Sequence, residues 1–232
     1  MTKTIPRIVI FITLLLGLPL SALADFTTAV AAHNRGDYAA AFREFKALAE
    51  KGDSSSQYNL AQMYAGGEGV PQDYEAAAGW FLKAADQGDA GAQSFLGQMY
   101  FAGHGVNQSY RAAAQWWRKA AEQGDAPAQF NLGSLYLNGQ GVKQSHQEAL
   151  IWHHKAAKKG FAMAQNNLGF MYANGYGIPQ DYVQAYMWGS LAAAQGLELA
   201  IKLRNDLTAR MTSAQIAEAQ RLVSNWRPVS EN

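Results

Sequence analysis

Histidine is the side chain of this sequence best suited to acid–base or metal chemistry near neutral pH, and the chain has five histidines and no cysteine. His153 and His154 are adjacent, so on a helix they point about 100° apart, and neither has a histidine at i+4. His104 and His154 stand at positions that vary between internal repeats, which is typical of exposed residues, and His146 replaces a recurring tyrosine. The sequence therefore predicts no metal site and no cofactor.

Glycine pairs with the spacing Gly-x-Gly recur four times, a spacing that also occurs in phosphate-binding loops. A phosphate-binding loop follows a strand and carries a further glycine or Gly-Lys-Ser/Thr, and neither is present here. Glycine tolerates the positive φ at which helices end, so the pairs are interpreted as structural loops. Motifs of serine and zinc hydrolases are also missing, and the sequence predicts no catalytic residue and no enzyme activity. The pairs are Gly67 and Gly69, Gly103 and Gly105, Gly139 and Gly141, and Gly175 and Gly177.

The elements that must position these residues are four blocks of 36 residues that align without a gap: 53–88, 89–124, 125–160 and 161–196. In each block a leucine, a small residue and a tyrosine with i, i+1, i+4 spacing indicate a first helix. Such a period is typical of solenoids, in which helix pairs bury their apolar faces by stacking. The sequence predicts an all-α fold, an α/α solenoid built as a right-handed superhelix of helix-turn-helix repeats. A second helix is marked by Trp80, Trp116, Trp152 and Trp188, which are predicted to lie in the core.

Helix starts are marked by residues that accept hydrogen bonds from free backbone amides. Asp53, Asp89 and Asp125 precede the first helices, and Phe161 breaks that column. The flanking segments 25–52 and 197–228 are interpreted as atypical helix pairs, of which the second closes the solenoid. The second helices follow Asp73, Ser109, Ser145 and Asp181.

The first 24 residues are predicted to be a secretory signal peptide, cleaved after Ala24. Lys3 and Arg7 precede an apolar run over 8–20, and small residues stand at the cleavage site. The run is too short for a membrane span of about 20 residues, so no stable membrane insertion is expected after cleavage; an uncleaved anchor is the alternative. Cleavage leaves 17 Lys and Arg against 18 Asp and Glu, which gives nucleic acid no basic surface. The expected location is periplasmic or secreted.

The motif Ala128-Gln129-x-x-Leu132-Gly133-x-x-Tyr136, with Gly139-x-Gly141-Val142 and Ala149-x-x-Trp152 after it, resembles the Sel-1-like repeat, a relative of the tetratricopeptide repeat. The resemblance covers 53–196, and 25–52 resembles a plain tetratricopeptide unit. It implies a scaffold or adaptor for protein complexes, common in exported bacterial proteins. Some exported members that are rich in cysteine bind penicillin-like compounds, but this chain lacks their cysteine pairs.

By analogy with tetratricopeptide units, the first-helix positions that do not pack are expected to line a concave face. This face is aromatic and rich in amides, which suits an extended peptide or a helix of a partner. Alternatively, Phe101, Phe130 and Phe170 are partly buried against the next repeat or the loops. The predicted protein-binding residues are Tyr58, Gln62, Gln98, Phe101, Phe130, Ser134, Leu137, Asn138, Asn166, Phe170 and Asn174.

Three functional hypotheses follow. The first is a non-catalytic scaffold or adaptor of the bacterial cell envelope that binds a partner protein or peptide on the concave face. The second is an envelope enzyme, such as a β-lactamase-like hydrolase, or a binder of peptidoglycan or β-lactam-like ligands. The third is a secreted effector directed at a host. The absence of a nucleophile and base at motif spacing favours the first.

Overall fold

The computed structural model describes residues 20–229, with side chains from residue 26 onward. The predicted signal peptide falls mainly outside the described residues, and its cleavage stays a prediction. Within the described part of the chain there are twelve helices and no strand, so the predicted all-α fold is confirmed. The helices are α1 (Leu20–Asn34), α2 (Tyr38–Glu50), α3 (Ser54–Gly66), α4 (Tyr74–Asp86), α5 (Ala90–Ala102), α6 (Tyr110–Glu122), α7 (Ala126–Asn138), α8 (His146–Lys158), α9 (Ala162–Asn174), α10 (Tyr182–Ala194), α11 (Glu198–Thr208) and α12 (Ser213–Asn225).

The helices begin where the sequence places hydrogen-bond acceptors. In α3, α5 and α7 the carboxylate of the preceding aspartate accepts the backbone amide three residues on, at 2.7 Å each. The second helices α4, α6, α8 and α10 are capped in the same way by Asp or Ser. Phe161 makes no side-chain cap bond to α9. Local chemistry therefore sets the helix starts, as predicted.

Residues up to Gln87 form one compact unit, which contains α1 to α4. Here α2 packs against α1 and α3, and α3 packs against α4. Phe45, Leu60, Met63 and Phe81 are its large buried side chains. At its C-terminal end, Gln87 donates from Nε2 to Oε1 of Gln57 at 2.8 Å.

Residues from Gly88 onward form a second compact unit, which contains α5 to α12. Each helix from α5 to α11 packs against its neighbour in sequence, and α12 packs against α10. The core consists of leucines from the first helices and of tryptophans and alanine pairs from the second helices. Within each unit the helix pairs pack in order along the chain, which is the packing of the predicted solenoid class.

The glycine loops pack against the start of the preceding second helix. Gly141 has φ of +69°, and a Cβ there would overlap the backbone of Tyr110 and Arg111. A Cβ at Gly177, where φ is +73°, would lie 2.6 Å from the carbonyl oxygen of His146. These positions require glycine for both backbone conformation and space, so the structural interpretation of the pairs is confirmed.

The recurring tryptophan column departs from the prediction in two of its four members. Trp152 and Trp188 are buried, but Trp80 and Trp116 are half-buried, with the ammonium groups of Lys83 and Lys119 at 3.7 and 4.0 Å from ring centroids. These two rings lie at the edge of the core, where a cation can cover one face. The residue after each tryptophan is buried in all four repeats, and this inner column comprises Phe81, Trp117, His153 and Gly189.

Candidate protein-binding surface

The first helices α5, α7 and α9 contain no Asp, Glu, Lys, Arg or His. The same holds for α3 in the N-terminal unit. Charged side chains lie instead on the second helices α4, α6 and α8 and on α11, whereas the second helix α10 has none. A surface made by the first helices therefore offers aromatic rings, amides and small side chains but no formal charge. Any ligand that it binds must be recognised by shape, apolar contact and neutral hydrogen bonds.

The side chains that α5, α7 and α9 leave exposed form what we call the first-helix face. In the C-terminal unit α5 contacts α7, and α9 contacts α11. Exposed rings and amides follow one another at helical spacing along these helices, so the face mixes apolar contact area with hydrogen-bonding groups. The face comprises Phe95, Gln98, Phe101, Asn138, Met163, Phe170 and Asn174.

The predicted binding residues divide according to their burial. Five of those in the C-terminal unit are exposed: Gln98, Phe101, Asn138, Phe170 and Asn174. Four are half-buried: Phe130, Ser134, Leu137 and Asn166. In the N-terminal unit, Tyr58 is half-buried and Gln62 is buried. Their role in binding stays a prediction.

Ring contacts explain why the three phenylalanines differ. Phe130 lies between the rings of His153 and Phe161, at centroid distances of 5.5 and 5.4 Å, so packing within the unit accounts for it. Phe101 contacts Trp117 at 5.5 Å yet keeps an exposed edge. Phe170 touches Tyr176 edge-on and remains 43% exposed. Of the three, Phe170 is the one most available to a partner.

A cleft between α9 and α11 contains residues that the sequence analysis did not select. Its volume is about 270 Å³, and Phe170 and Asn174 line the α9 side. The α11 side is lined by Leu199, Lys202, Leu203, Asp206, Leu207 and Arg210. The signal for this site was present in the sequence, because leucines recur at i, i+4 and i+8 while charged residues follow the same spacing beside them.

Comparison with protein families assigns the repeats. The family model for the Sel1 repeat matches four times, at residues 54–89, 90–125, 126–161 and 162–197. The chain belongs to the Sel1 repeat family. A search of curated proteins found no match.

Two solved structures with Sel1 repeats resemble the chain over most of its length. A protective antigen of uropathogenic Escherichia coli with an SLR fold is 37% identical, with a TM-score of 0.81, over 88% of this chain and 45% of that one. A Sel1 repeat protein from Oxalobacter formigenes is 28% identical, with a TM-score of 0.76, over 88% of this chain and 86% of that one. The chain thus spans less than half of the E. coli antigen. Both similarities support the solenoid assignment.

Buried glutamines join successive Sel1 repeats, a role that the sequence analysis did not assign. Nε2 of Gln129 donates to the carbonyl oxygen of Ala121, and Nε2 of Gln165 donates to that of Ala157. Oε1 of Gln165 accepts from Gln195 at 2.9 Å, as Oε1 of Gln93 accepts from Gln123 at 2.8 Å. The glutamine that recurs in each repeat could have indicated such a bond, because a polar side chain buried between helices normally has a hydrogen-bond partner.

The position of His153 in the inner column also explains the burial and the pKa of this histidine. His153 has no solvent exposure, and burial lowers the pKa of its imidazole to about 4. Burial and the nearby Lys158 lower the pKa of His154, whose ring contacts Trp188 edge-on. His153 is therefore a neutral core residue at physiological pH. Across the described residues, no group of three His, Asp or Glu side chains is placed to hold a metal ion.

Among the described residues, no helix combines the length and the apolar composition that crossing a bilayer requires.

Proposed function

We propose that this Sel1 repeat protein is a non-catalytic scaffold of the bacterial cell envelope that binds a partner protein or peptide on its first-helix face. Proteins of this family generally act through protein–protein interaction, which is the coarse function that the repeats support. The observation that carries the finer proposal is the combination of exposed rings and absent charge on α5, α7 and α9.

Exposed aromatic and thioether side chains make this face a candidate for contact with a partner. Phe101, Met163 and Phe170 are large apolar residues that are exposed on first helices. Large exposed apolar side chains in a group lower solubility unless they serve an interface. The amides of Gln98, Asn138 and Asn174 can pair with backbone groups of an extended segment. The face therefore suits a neutral, apolar stretch of polypeptide.

Insertion of charge into the neutral face tests the proposal. Gln98→Glu adds a carboxylate on α5 and Phe170→Ala removes an apolar contact on α9, and we expect partner recovery by the double variant in a crosslinking pull-down from the native envelope to fall about tenfold. The matched control is Gln115→Glu with Ile151→Ala, the same types of change at exposed positions on second helices. Equal recovery of the partner by both variants would show that the binding site is not on the first-helix face.

The envelope location has its own measurement. It rests on the predicted signal peptide, so the protein recovered from cell fractions should begin at Asp25 and appear in the periplasmic or extracellular fraction. A chain that keeps residues 1–24 in the cytoplasm would contradict the location while leaving the binding proposal open to its own test.

A further inference from the structure

The cleft between α9 and α11 has an apolar floor that remains open to solvent. Leu199, Leu203 and Leu207 follow one another at i, i+4 and i+8 along α11, and Phe170 faces them from α9. Leu207 is buried, whereas Leu199 is 61% exposed, the largest exposure among the large apolar side chains of the described residues. An exposed leucine lowers the solubility of the helix that carries it unless it serves a contact. The floor is therefore suited to an apolar side chain of a partner.

The rim of the same cleft carries charges that form no ion pair with the described residues. Lys202 and Asp206 are exposed at i and i+4 on α11, and the exposed Arg210 follows the C-terminal end of the same helix. This spacing permits ion pairs along a helix, yet none of the three forms one with any group in the described residues. The rim therefore presents two unpaired cations with one anion between them.

This charge distribution contrasts with the remainder of the binding surface. Helices α5, α7 and α9 have no charged side chain, so selection by charge is confined to the α11 end of the first-helix face. A nucleic acid would meet only two cations, with a carboxylate between them, and a floor of leucine and phenylalanine. A polypeptide that combines apolar and acidic residues matches both the floor and the rim.

We infer that the cleft between α9 and α11 binds a segment of the partner in which two acidic residues flank apolar side chains. The inference rests on the proposed function and adds the chemistry of the partner. One carboxylate lies on Lys202 and the other on Arg210, while the apolar side chains between them contact Phe170, Leu199 and Leu203.

Selection from a random dodecamer library displayed on phage tests this inference on the purified full chain. The expected result is enrichment of peptides that carry two Asp or Glu residues around Phe, Leu or Ile, relative to the starting library. Lys202→Gln with Arg210→Gln should lower recovery of these peptides about tenfold, because two partly exposed ion pairs are lost. The matched control is Arg111→Gln with Lys143→Gln, which removes two exposed cations that do not line the cleft.

The possible results separate this inference from the proposed function. Apolar peptides without acidic enrichment, lost on Phe170→Ala, would overturn the acidic preference and agree with binding to the first-helix face. Acidic peptides that both double variants lose equally would show general electrostatic attraction and would overturn the site. A library without any enriched peptide would also overturn the inference, while the pull-down decides the proposed function independently.

Discussion

The repeats 89–124 and 125–160 share one backbone plan but fill the same internal positions with different chemistry. In the first, Trp117 packs on Gly97 and donates from its indole nitrogen to the carbonyl oxygen of Ser94 at 3.0 Å. In the second, His153 packs on Gly133, and its Nδ1 has no hydrogen-bond partner in the described structure. The helix pair thus tolerates a polar ring at its centre if glycine leaves room for it.

A second difference concerns the junction with the following repeat. Gln123 donates to Oε1 of Gln93 at 2.8 Å, whereas the equivalent Lys159 donates to the carbonyl oxygen of Gly124 at 2.5 Å. Oε1 of Gln129 is left without a partner within the part of the chain that the structure describes. With Trp152 Nε1, repeat 125–160 therefore holds three buried polar atoms that are unpaired in the described structure, each of which costs stability. The comparison teaches that the repeat frame is set by backbone and small residues, and that its stability varies with the side chains inside it.

We expect the largest effect from pH, which should change the free energy of unfolding through His153 in repeat 125–160. The folded chain keeps the imidazole of His153 neutral because its pKa is about 4, while the unfolded chain protonates it below its usual pKa of 6.5. The contribution of the neutral His153 to the free energy of unfolding is fully present above pH 6.5. It is lost as the pH falls from 6.5 to 4, by up to about 3 kcal/mol. Urea unfolding at pH 7.5, 5.5 and 4.5 measures this loss.

His153→Phe provides the comparison, since Phe81 fills the same column in the first repeat. The difference in unfolding free energy between wild type and variant should change with pH over this window, because all other titrating groups are common to both. Parallel pH profiles would show that His153 is solvated in solution and would remove the physical basis of the lowered pKa.

The next largest difference between the two repeats is expected at Gly97 and Gly133, where the space available for a side chain differs. A Cβ at position 97 would overlap the buried Trp117 ring, so Gly97→Ala should lower the unfolding free energy by about 2 kcal/mol. At Gly133 the nearest atom is His153 Cε1 at 3.0 Å, and the gain in helix propensity of about 1 kcal/mol offsets the tighter contact. Thermal denaturation of the two variants checks the order, and a more severe effect at Gly133 would contradict the packing.

Exchange of the junction residues gives the smallest effect. Lys159→Gln restores a donor to Oε1 of Gln129. Gln195, the equivalent residue of the next repeat, bonds both Oε1 of Gln165 and the carbonyl oxygen of Gly160 in the repeat before it, so a glutamine can make both contacts. The unfolding free energy should rise by about 1 kcal/mol. The reciprocal Gln123→Lys should lower it by a similar amount. If both substitutions were neutral in denaturant titrations, water would already satisfy these groups.

Much of the fold could be predicted because it depends on residues close together in the chain. The caps at Asp53, Asp89 and Asp125 and the helix-ending glycine at 139 act within one or two turns, and repetition reveals them without an alignment. Of the binding surface, Phe170 and Asn174 were selected and lie exposed on α9. Phe130 was selected by the same positional rule but packs against His153, which lies on another helix of the same block, and against Phe161, which belongs to the next block.

The sequence by itself determined the repeat length, the helix pairs, their caps and the loops between them. These are local properties of one block, and they can be recognised in the sequence because the block occurs four times. The tertiary structure alone decided that the column of Phe81, Trp117 and His153 is the inner one, and that Trp80 and Trp116 lie at its edge. It also decided that α11 adds charge to an otherwise neutral surface. Both outcomes depend on which face of a helix its neighbours cover, and helical periodicity does not specify that when adjacent positions are both apolar.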